Sequence, residues 1–325
     1  MENTNKTEIF NIIKNSNYIT IIGHRNPDVD CIASCLGLSF LIKNIFDKDS
    51  IVVNTDKKSL YLDNVLYVDK VLFEVDSNSL PEKDLLIVLD SGDIDRIGFV
   101  SDIIDDYNEV IFIDHHHCRN LKGVTKFYNN TKSAATCEMI FDIFEDYIDK
   151  IDSRVATLLY SGIMTDTGSF SFSNTTEHTL YVAYKLMSYN VDMSIVGSIV
   201  RKRYRKIDID ALSELYSRIV INDNTKIGYL CVEETINGYN LKDLQVSASD
   251  ALMQMENVDI GFILYESENS FRGSIRSRCD KNIREVAESF GGGGHLKASG
   301  FTVSKDSYTK DSLIEEVIKK IEHIK

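Results

Sequence analysis

The segment Val110-Ile111-Phe112-Ile113-Asp114-His115-His116 is the strongest indication of the fold, because an apolar run of strand length ends there in side chains that bind metals. Two other apolar runs end in the same way, residues 18–22 before His24 and residues 85–89 before Asp90. In a parallel sheet the carboxyl ends of the strands lie along one rim. The three runs therefore predict a metal site on that rim.

Helical patterns alternate with these runs, which predicts an α/β fold with a doubly wound, mostly parallel sheet. A further strand is predicted at residues 51–53. Helices are predicted at residues 7–14, 29–46, 133–147, 151–164 and 176–188.

A second, smaller α+β domain is predicted in the last third of the chain, after a charged helix at residues 191–220. The basic run within that helix, residues 201–206, is either a solvated face or a cationic wall. The predicted boundaries are 1–190 for the first domain, 191–220 for a helical linker and 221–325 for the second domain. In the second domain, strands are predicted at 227–233, 260–265, 271–277 and 300–303, helices at 247–255, 283–290 and 310–323, and a glycine loop at 291–294.

The composition restricts the class of ligand and the compartment. The 325 residues are enough for two domains, and a net charge of −14 favours a small anionic ligand over a long nucleic-acid duplex. The six cysteines form no Cys-x-x-Cys pair, and the first residues do not resemble a signal peptide. Reduced thiols in a cytoplasm are expected, with no membrane span, because no apolar run approaches the ~18 residues that a span requires.

The sequence offers more candidate ligands than a single metal ion with open positions would bind. Each aspartate alone would more often cap a helix or a turn, but their combination in one chain argues against that reading. Nitrogen and oxygen donors of this number suit two divalent ions ~3.5–4 Å apart that share a carboxylate and a water. Such donors suit Mn²⁺ and, less selectively, Mg²⁺, Fe²⁺, Co²⁺ or Zn²⁺. The candidate ligands are His24, Asp28, Asp30, Asp90, His115 and Asp166.

Five motifs together resemble the DHH phosphoesterase superfamily, in the subfamily that carries a DHHA1 domain. They span nearly the whole chain. The motifs are Gly23-His24-Arg25-Asn26-Pro27-Asp28-Val29-Asp30, Val88-Leu89-Asp90, Asp114-His115-His116, Ser161-Gly162-Ile163-Met164-Thr165-Asp166-Thr167-Gly168 and Gly291-Gly292-Gly293-Gly294-His295.

The resemblance implies a role for each residue of the metal centre. His24 and Asp28 would bind one ion, and Asp90 would bridge it to a second. The second ion would be held by Asp30, His115 and Asp166. His116 would face the scissile phosphate, and Asp114 would orient the histidines.

The resemblance also implies a phosphate site in the second domain. Arg276 and His295 would bind nucleotide phosphate together with the backbone of Gly292, Gly293 and Gly294. Arg272 and Arg278 flank Arg276 and, on a strand, would share its face, so either could be the true contact.

The activity that the resemblance implies is hydrolysis of short oligoribonucleotides to nucleoside monophosphates, and of adenosine 3′,5′-bisphosphate to AMP, by a metal-bridging hydroxide. A stand-alone phosphodiesterase for cyclic di-AMP or pApA shares every motif and is the alternative. A catalytically dead binding module would have lost metal ligands, and all six are present. The expected partners are short RNA, mononucleotide bisphosphates, cyclic dinucleotides and a second copy in a homodimer, with no membrane.

Overall fold

The computed structural model describes residues 3–324 except 78, 81, 119, 201–205, 234, 237–238 and 241–251. The chain divides into two compact units, Met1–Arg203 and Tyr204–Lys325.

The first unit is built on a six-stranded sheet in which every adjacent pair of strands is parallel, with the order β3-β2-β1-β4-β5-β6. This confirms the predicted doubly wound sheet. Two short outer strands, β3 and β6, were not predicted from the pattern, because neither carries an apolar run of normal strand length. The strands are β1 Ile19–Ile22, β2 Ile51–Val53, β3 Val71–Leu72, β4 Leu85–Leu89, β5 Glu109–Asp114 and β6 Lys126–Asn129.

Helices connect the strands and form the core with them. They are α1 Lys6–Asn15, α2 Val29–Phe46, α3 Thr136–Ile143, α4 Ser153–Asp166, α5 Glu177–Met187 and α6 Met193–Val200. Shorter 3-10 segments lie at Leu60–Asn64, Val68–Lys70, Ile94–Asp106 and Glu145–Lys150. The predicted helix at 133–147 is shorter in the structure, because Asp30 binds the first amides of α3 and Phe144 ends it.

Helix α2 is the longest helix of this unit and packs against α4. Its 18 residues are long and apolar enough to cross a membrane, and it is the one helix of that kind in the described part of the chain. The expectation that no such segment exists was therefore wrong by length and composition. Since 67% of the segment is buried inside the protein, α2 has the character of a core helix.

The order of the strands places a topological switch between β1 and β4. The chain proceeds from β1 to β2 on one side and from β4 to β5 on the other. Ligand sites of open parallel sheets lie beyond the carboxyl ends of the strands at such a point.

The second unit contains a mixed sheet with the order β13-β14-β12-β11-β8-β7, as an α+β domain requires. Only the β8–β11 pair is parallel among its described pairs. Apolar side chains of β11 and β12 form its core with two helices. The elements are α7 Lys206–Ser217, β7 Val220–Asn222, β8 Ile227–Glu233, β9 Thr235–Ile236, β10 Tyr239–Asn240, β11 Ile260–Glu266, β12 Ser270–Ser277, α8 Ile283–Glu288, β13 Gly293–His295, β14 Ala298–Ser304 and α9 Lys310–His323.

Two predicted elements differ, and two others lie partly outside the described residues. The predicted helix at 191–220 comprises α6 and α7, and its last residue, Val220, begins strand β7. The basic run at 201–206 lies outside the described residues except for Lys206, and residues 247–251 of the predicted helix 247–255 also lie outside them. The predicted glycine loop is half strand, because Gly293 and Gly294 pair with β14.

Candidate metal centre and phosphate site

Three adjacent strands bring the first ligands together. His24 follows β1, Asp90 follows β4 and His115 follows β5, and these strands are neighbours in the sheet. Because the strands are parallel, all three side chains reach the same rim, on both sides of the topological switch.

Asp90 lies between the two histidines. One carboxylate oxygen, Oδ2, lies 3.7 Å from Nε2 of His24, and the other, Oδ1, lies 3.4 Å from Nε2 of His115. Burial raises the pKa of Asp90 well above its usual value, and the charges of Asp30 and Asp28 raise it further. A carboxylate in this position is stabilised only when cations neutralise the cluster.

His115 has the ring nitrogen that best fits a metal ligand. Its Nε2 is buried and makes no hydrogen bond with any described residue. This nitrogen lies 3.3 Å from Oδ2 of Asp166, at the end of α4, and burial raises the pKa of that carboxyl to about 9. A buried ring nitrogen without a hydrogen bond is costly, and a divalent ion between these groups would satisfy it.

Asp30 is held by the first turn of α3. Its Oδ2 accepts a hydrogen bond from the backbone N–H of Thr136 at 2.7 Å, and its Oδ1 accepts one from Cys137 at 3.0 Å. The unpaired amides of a helix N-terminus are natural partners of a carboxylate. Gly162 on α4 leaves the necessary space, since a Cβ there would lie 2.5 Å from Oδ1 of Asp30.

Asp28 lies at the start of α2, and His24 lies in the loop between β1 and α2. Asp28 caps the helix by accepting from the N–H of Cys31 at 3.0 Å, while its Oδ2 lies 3.7 Å from Nε2 of His24. Nδ1 of His24 lies 2.7 Å from the carbonyl of Arg25 and 3.1 Å from the guanidinium of Arg96, so Nε2 is the ring nitrogen that faces the carboxylates of Asp28 and Asp90. Burial lowers the pKa of His24, but Cys31 and Asp28 raise it more, to about 11.

Asp114 orients His116 and not His115. Its Oδ1 accepts from the backbone N–H of His116 at 2.7 Å and lies 2.8 Å from Nδ1 of that ring. Nδ1 of His115 lies instead 3.3 Å from the carbonyl of Ser133. The expectation that Asp114 orients both histidines is therefore corrected. His116 is left with no hydrogen bond to Nε2 from the described residues, on a side chain that is 42% exposed.

The donor atoms form overlapping groups that could each hold a metal ion. Within each group the atoms lie within 4.8 Å of one another, and Asp90 belongs to two of them. The groups are His24 with Cys31 and Asp90, Asp90 with His115 and His116, and Asp30 with His115 and Asp166.

Three residues of this centre were missed in the sequence. Thr136 donates its hydroxyl to Oδ1 of Asp90 at 2.9 Å, and the thiol of Cys31 belongs to the first group. The guanidinium of Arg96 lies 3.1 Å from Nδ1 of His24. Of the three, only Cys31 is adjacent to a motif position that the sequence singles out as a ligand.

The second unit aligns two of the predicted phosphate contacts. Arg276 of β12 pairs with Ala298 of β14, and Ala298 pairs with His295 of β13. Residues directly paired across strands share a face, so Arg276 and His295 lie on one face, ~10 Å apart with only a methyl group between them. This spacing leaves room for a phosphate between the two side chains.

Packing explains why glycine occupies some positions of the run at 291–294 but not others. At Gly292 and Gly294 a Cβ would lie 2.2 Å and 2.6 Å from backbone oxygens of β14, so the fold itself requires glycine. At Gly293 nothing lies within 4 Å of the Cβ position. Glycine is therefore not required by packing at Gly293, and the space on the Cβ side of this residue is open.

The neighbouring arginines are engaged elsewhere. Arg278 donates to the carbonyls of Met255 and Val258, and Arg272 lies over the ring of Tyr265 at 4.4 Å. Arg276 donates to Ser274 Oγ at 3.3 Å and to the carbonyl of Ile275 at 3.0 Å.

Carboxylates and imidazoles gathered at the switch point of a parallel sheet are the features of a metal-dependent enzyme of the α/β class. Comparison with family models gives the same result: the DHH family N-terminal domain matches residues 18–163, and the DHHA1 domain matches residues 224–324. The chain therefore belongs to the DHH family of phosphoesterases, which hydrolyse phosphoester bonds, and it carries a DHHA1 domain.

Individual relatives cover almost the whole chain. A bifunctional oligoribonuclease and PAP phosphatase NrnA of Mycoplasma genitalium is 28% identical, over 97% of both chains. A probable bifunctional oligoribonuclease and PAP phosphatase NrnA of Streptococcus mutans is 30% identical, over 87% of this chain and 89% of that one. The cyclic-di-AMP phosphodiesterase PdeA of Listeria monocytogenes is 26% identical, over 88% of this chain but only 44% of that protein.

A solved structure shares the fold. The exopolyphosphatase-related protein of Bacteroides fragilis superposes with a TM-score of 0.84 at 21% identity, over 98% of this chain and 95% of that one.

Proposed function

We propose that this protein hydrolyses short oligoribonucleotides to nucleoside monophosphates and converts adenosine 3′,5′-bisphosphate to AMP, with two Mn²⁺ ions as cofactors. The names of the Mycoplasma and Streptococcus relatives support these two substrates, because both relatives match along nearly their full length. Nitrogen and oxygen donors are consistent with Mn²⁺, and Mg²⁺, Co²⁺, Fe²⁺ or Zn²⁺ are alternatives.

The observation that carries the proposal is the position of Asp90 between His24 and His115, with Nε2 of His115 lacking a hydrogen bond among the described residues. His24 and Asp28 would hold one ion, and His115 would hold the other with Asp30 and Asp166. When bound, two such ions would activate a water and neutralise the phosphoryl oxygens.

His116 is proposed as the catalytic group that contacts the phosphate. Because Nδ1 is directed at the carboxylate of Asp114, its Nε2 is available to a substrate. From there it would either stabilise charge on a phosphoryl oxygen or protonate the leaving oxygen.

The second unit is proposed to recognise the rest of the substrate. A guanidinium matches the geometry of a phosphate, and Arg276 shares its face of the sheet with His295. The open space on the Cβ side of Gly293 would let the same anion approach the strand closely there.

The alternative is a phosphodiesterase for cyclic di-AMP or its linear product pApA. The family motifs do not distinguish it, and the Listeria relative bears that name. That relative is a much longer protein, of which this chain covers less than half.

Initial rates of the full-length protein on a dinucleotide RNA, pApA, adenosine 3′,5′-bisphosphate and cyclic di-AMP test the proposal. We expect turnover of the first three with Mn²⁺ and much slower turnover of cyclic di-AMP. Faster cleavage of cyclic di-AMP than of pApA would select the alternative. Asp90→Ala is the control: it should abolish all activities, and more than a few per cent residual turnover would contradict the shared-carboxylate arrangement.

We also propose a cellular location, domain boundaries and an oligomeric state for this protein. A cytoplasmic location suits an enzyme of nucleotide turnover with six free cysteines. The boundaries at 1–190, 191–220 and 221–325 and a homodimer can be tested by limited proteolysis and by sedimentation.

A further inference from the structure

A thiol lies against the first metal position, and the activity proposed above does not use it. Cys31 is fully buried at the first turn of α2. Its Sγ, a ring nitrogen of His24 and a carboxylate oxygen of Asp90 lie within 4.8 Å of one another. These are three different kinds of donor around one point.

The backbone at Gly23 and at the first turn of α2 fixes the position of this thiol beside the ligands. A Cβ at Gly23 would lie only 2.1 Å from Sγ of Cys31, so the thiol fills the space that the glycine leaves beside the end of β1. The N–H of Cys31 donates to Asp28, which fixes the first turn of α2. The position of the thiol is thus set by the same turn that carries the predicted carboxylate ligands.

The chemistry of the three donors differs from that of a pure carboxylate site. Thiolate sulfur is a soft ligand and selects Zn²⁺, Co²⁺ or Cd²⁺ over Mn²⁺ or Mg²⁺. Sulfur, imidazole and carboxylate together form a common zinc ligand set. Mn²⁺ would depend on the oxygen ligands and gain little from the thiol.

We propose that Cys31 is an additional ligand of the metal position formed by His24 and Asp90, through which the site binds thiophilic divalent cations. The thiol loses its proton to solvent when the metal–sulfur bond forms. This inference rests on the metal centre of the proposed function and adds a ligand that discriminates between metals.

Two other buried cysteines provide matched controls. Cys35 lies one turn further along α2, and its Sγ is 3.5 Å from the Cβ position at Gly23. Cys137 is on α3, with its Sγ 3.8 Å from the carbonyl of Asp30. Both are buried thiols near the centre, but neither belongs to the group of His24 and Asp90.

The test is a titration of the metal-free, full-length protein with Co²⁺ and with Cd²⁺, followed by the thiolate-to-metal charge-transfer band in the ultraviolet. We expect the band in the wild type and in the Cys35→Ser and Cys137→Ser variants, and its loss in Cys31→Ser. We also expect Cys31→Ser to weaken Cd²⁺ binding ~10-fold or more while Mn²⁺ binding changes less than ~3-fold.

A band that persists in Cys31→Ser, or that is absent from the wild type, overturns the inference. If the wild type hydrolyses adenosine 3′,5′-bisphosphate with Mn²⁺ but gives no band with Co²⁺ or Cd²⁺, only the thiolate ligand fails. If it binds no metal and hydrolyses no phosphoester, the proposed function fails as well.

Discussion

The hydroxyl of Thr136 donates a hydrogen bond to Oδ1 of Asp90 across 2.9 Å. The backbone N–H of the same residue donates to Asp30 at 2.7 Å. One residue at the start of α3 therefore positions two carboxylates that belong to different groups of ligands. Partners of this kind tune metal affinity although they do not touch the ion.

We expect Thr136→Val to lower Mn²⁺ affinity ~10-fold or more, because the shape is kept while the hydrogen bond to Asp90 is lost. Thr136→Ser, which keeps the hydroxyl, should restore affinity. Binding of Mn²⁺ to the metal-free protein, followed by electron paramagnetic resonance, measures this. Equal affinities of the Val and Ser variants would show that the hydroxyl has no such role.

Gly162→Ala should disturb the centre through packing. The new Cβ would lie 2.5 Å from Oδ1 of Asp30 and 2.3 Å from Sγ of Cys137, so the carboxylate must move. We expect a loss of ~1–3 kcal/mol in the free energy of unfolding and at least a tenfold loss of turnover.

Gly197→Ala is the matched control for that change. Gly197 is also helical, but nothing lies within 4 Å of its Cβ position. Alanine there should leave turnover unchanged and increase stability by ~0.5–1 kcal/mol. Thermal unfolding and initial rates are measured for both variants. Equal changes of stability and turnover in Gly162→Ala and Gly197→Ala would contradict the packing argument.

Gly293→Ala should weaken substrate binding without unfolding the second unit. Its Cβ position is open, whereas that of Gly292 lies 2.2 Å from the carbonyl of Gly300. We expect Gly293→Ala to raise KM for adenosine 3′,5′-bisphosphate several-fold at unchanged thermal stability, and Gly292→Ala to lower the melting temperature. An unchanged KM in Gly293→Ala would show that the substrate does not contact the backbone of Gly293.

Metal affinity should increase with pH. Burial raises the pKa of Asp166 to about 9, so this carboxyl is protonated at neutral pH without metal and must lose its proton to bind one. Below that pKa each unit of pH should increase Mn²⁺ affinity by up to ~10-fold for every proton released. Calorimetric titrations in buffers of different ionisation enthalpy measure the protons. Asp166→Asn should reduce the pH dependence, and an affinity that is constant between pH 6 and 8 would contradict the assignment.

Arg96 should contribute to phosphate binding in the first unit. Its guanidinium lies 3.1 Å from Nδ1 of His24 and donates to the carbonyl of Ser91, and no carboxylate of the described residues lies within 4.0 Å of it. We expect Arg96→Gln to raise KM for adenosine 3′,5′-bisphosphate ~10-fold, because an unpaired guanidinium near the ligands attracts phosphate.

Arg25→Gln is the comparison for that change, since Arg25 is paired with Asp56 at 3.2 Å. Its KM should change by less than ~2-fold, as expected for an exposed ion pair. Steady-state kinetics give KM for both variants. Equal KM values in Arg96→Gln and Arg25→Gln would contradict the role of Arg96.

Much of the fold follows from local patterns. Helix α2 and strand β4 have the predicted bounds, Val29–Phe46 and Leu85–Leu89, because their apolar spacing is strong and their ends are marked. The predicted single helix at 191–220 failed, since periodicity does not locate the beginning of strand β7 at Val220.

The sequence by itself determined the parallel sheet and the candidate ligands that follow its strands, because parallel strands must bring their carboxyl ends to one rim. Only the tertiary structure decided which groups support those ligands. Thr136 and Cys31 reach the centre through the packing of α3 and α2, and Arg276 aligns with His295 through strand register. Packing and register join residues far apart in the chain, and no local pattern of apolar and polar residues specifies such contacts.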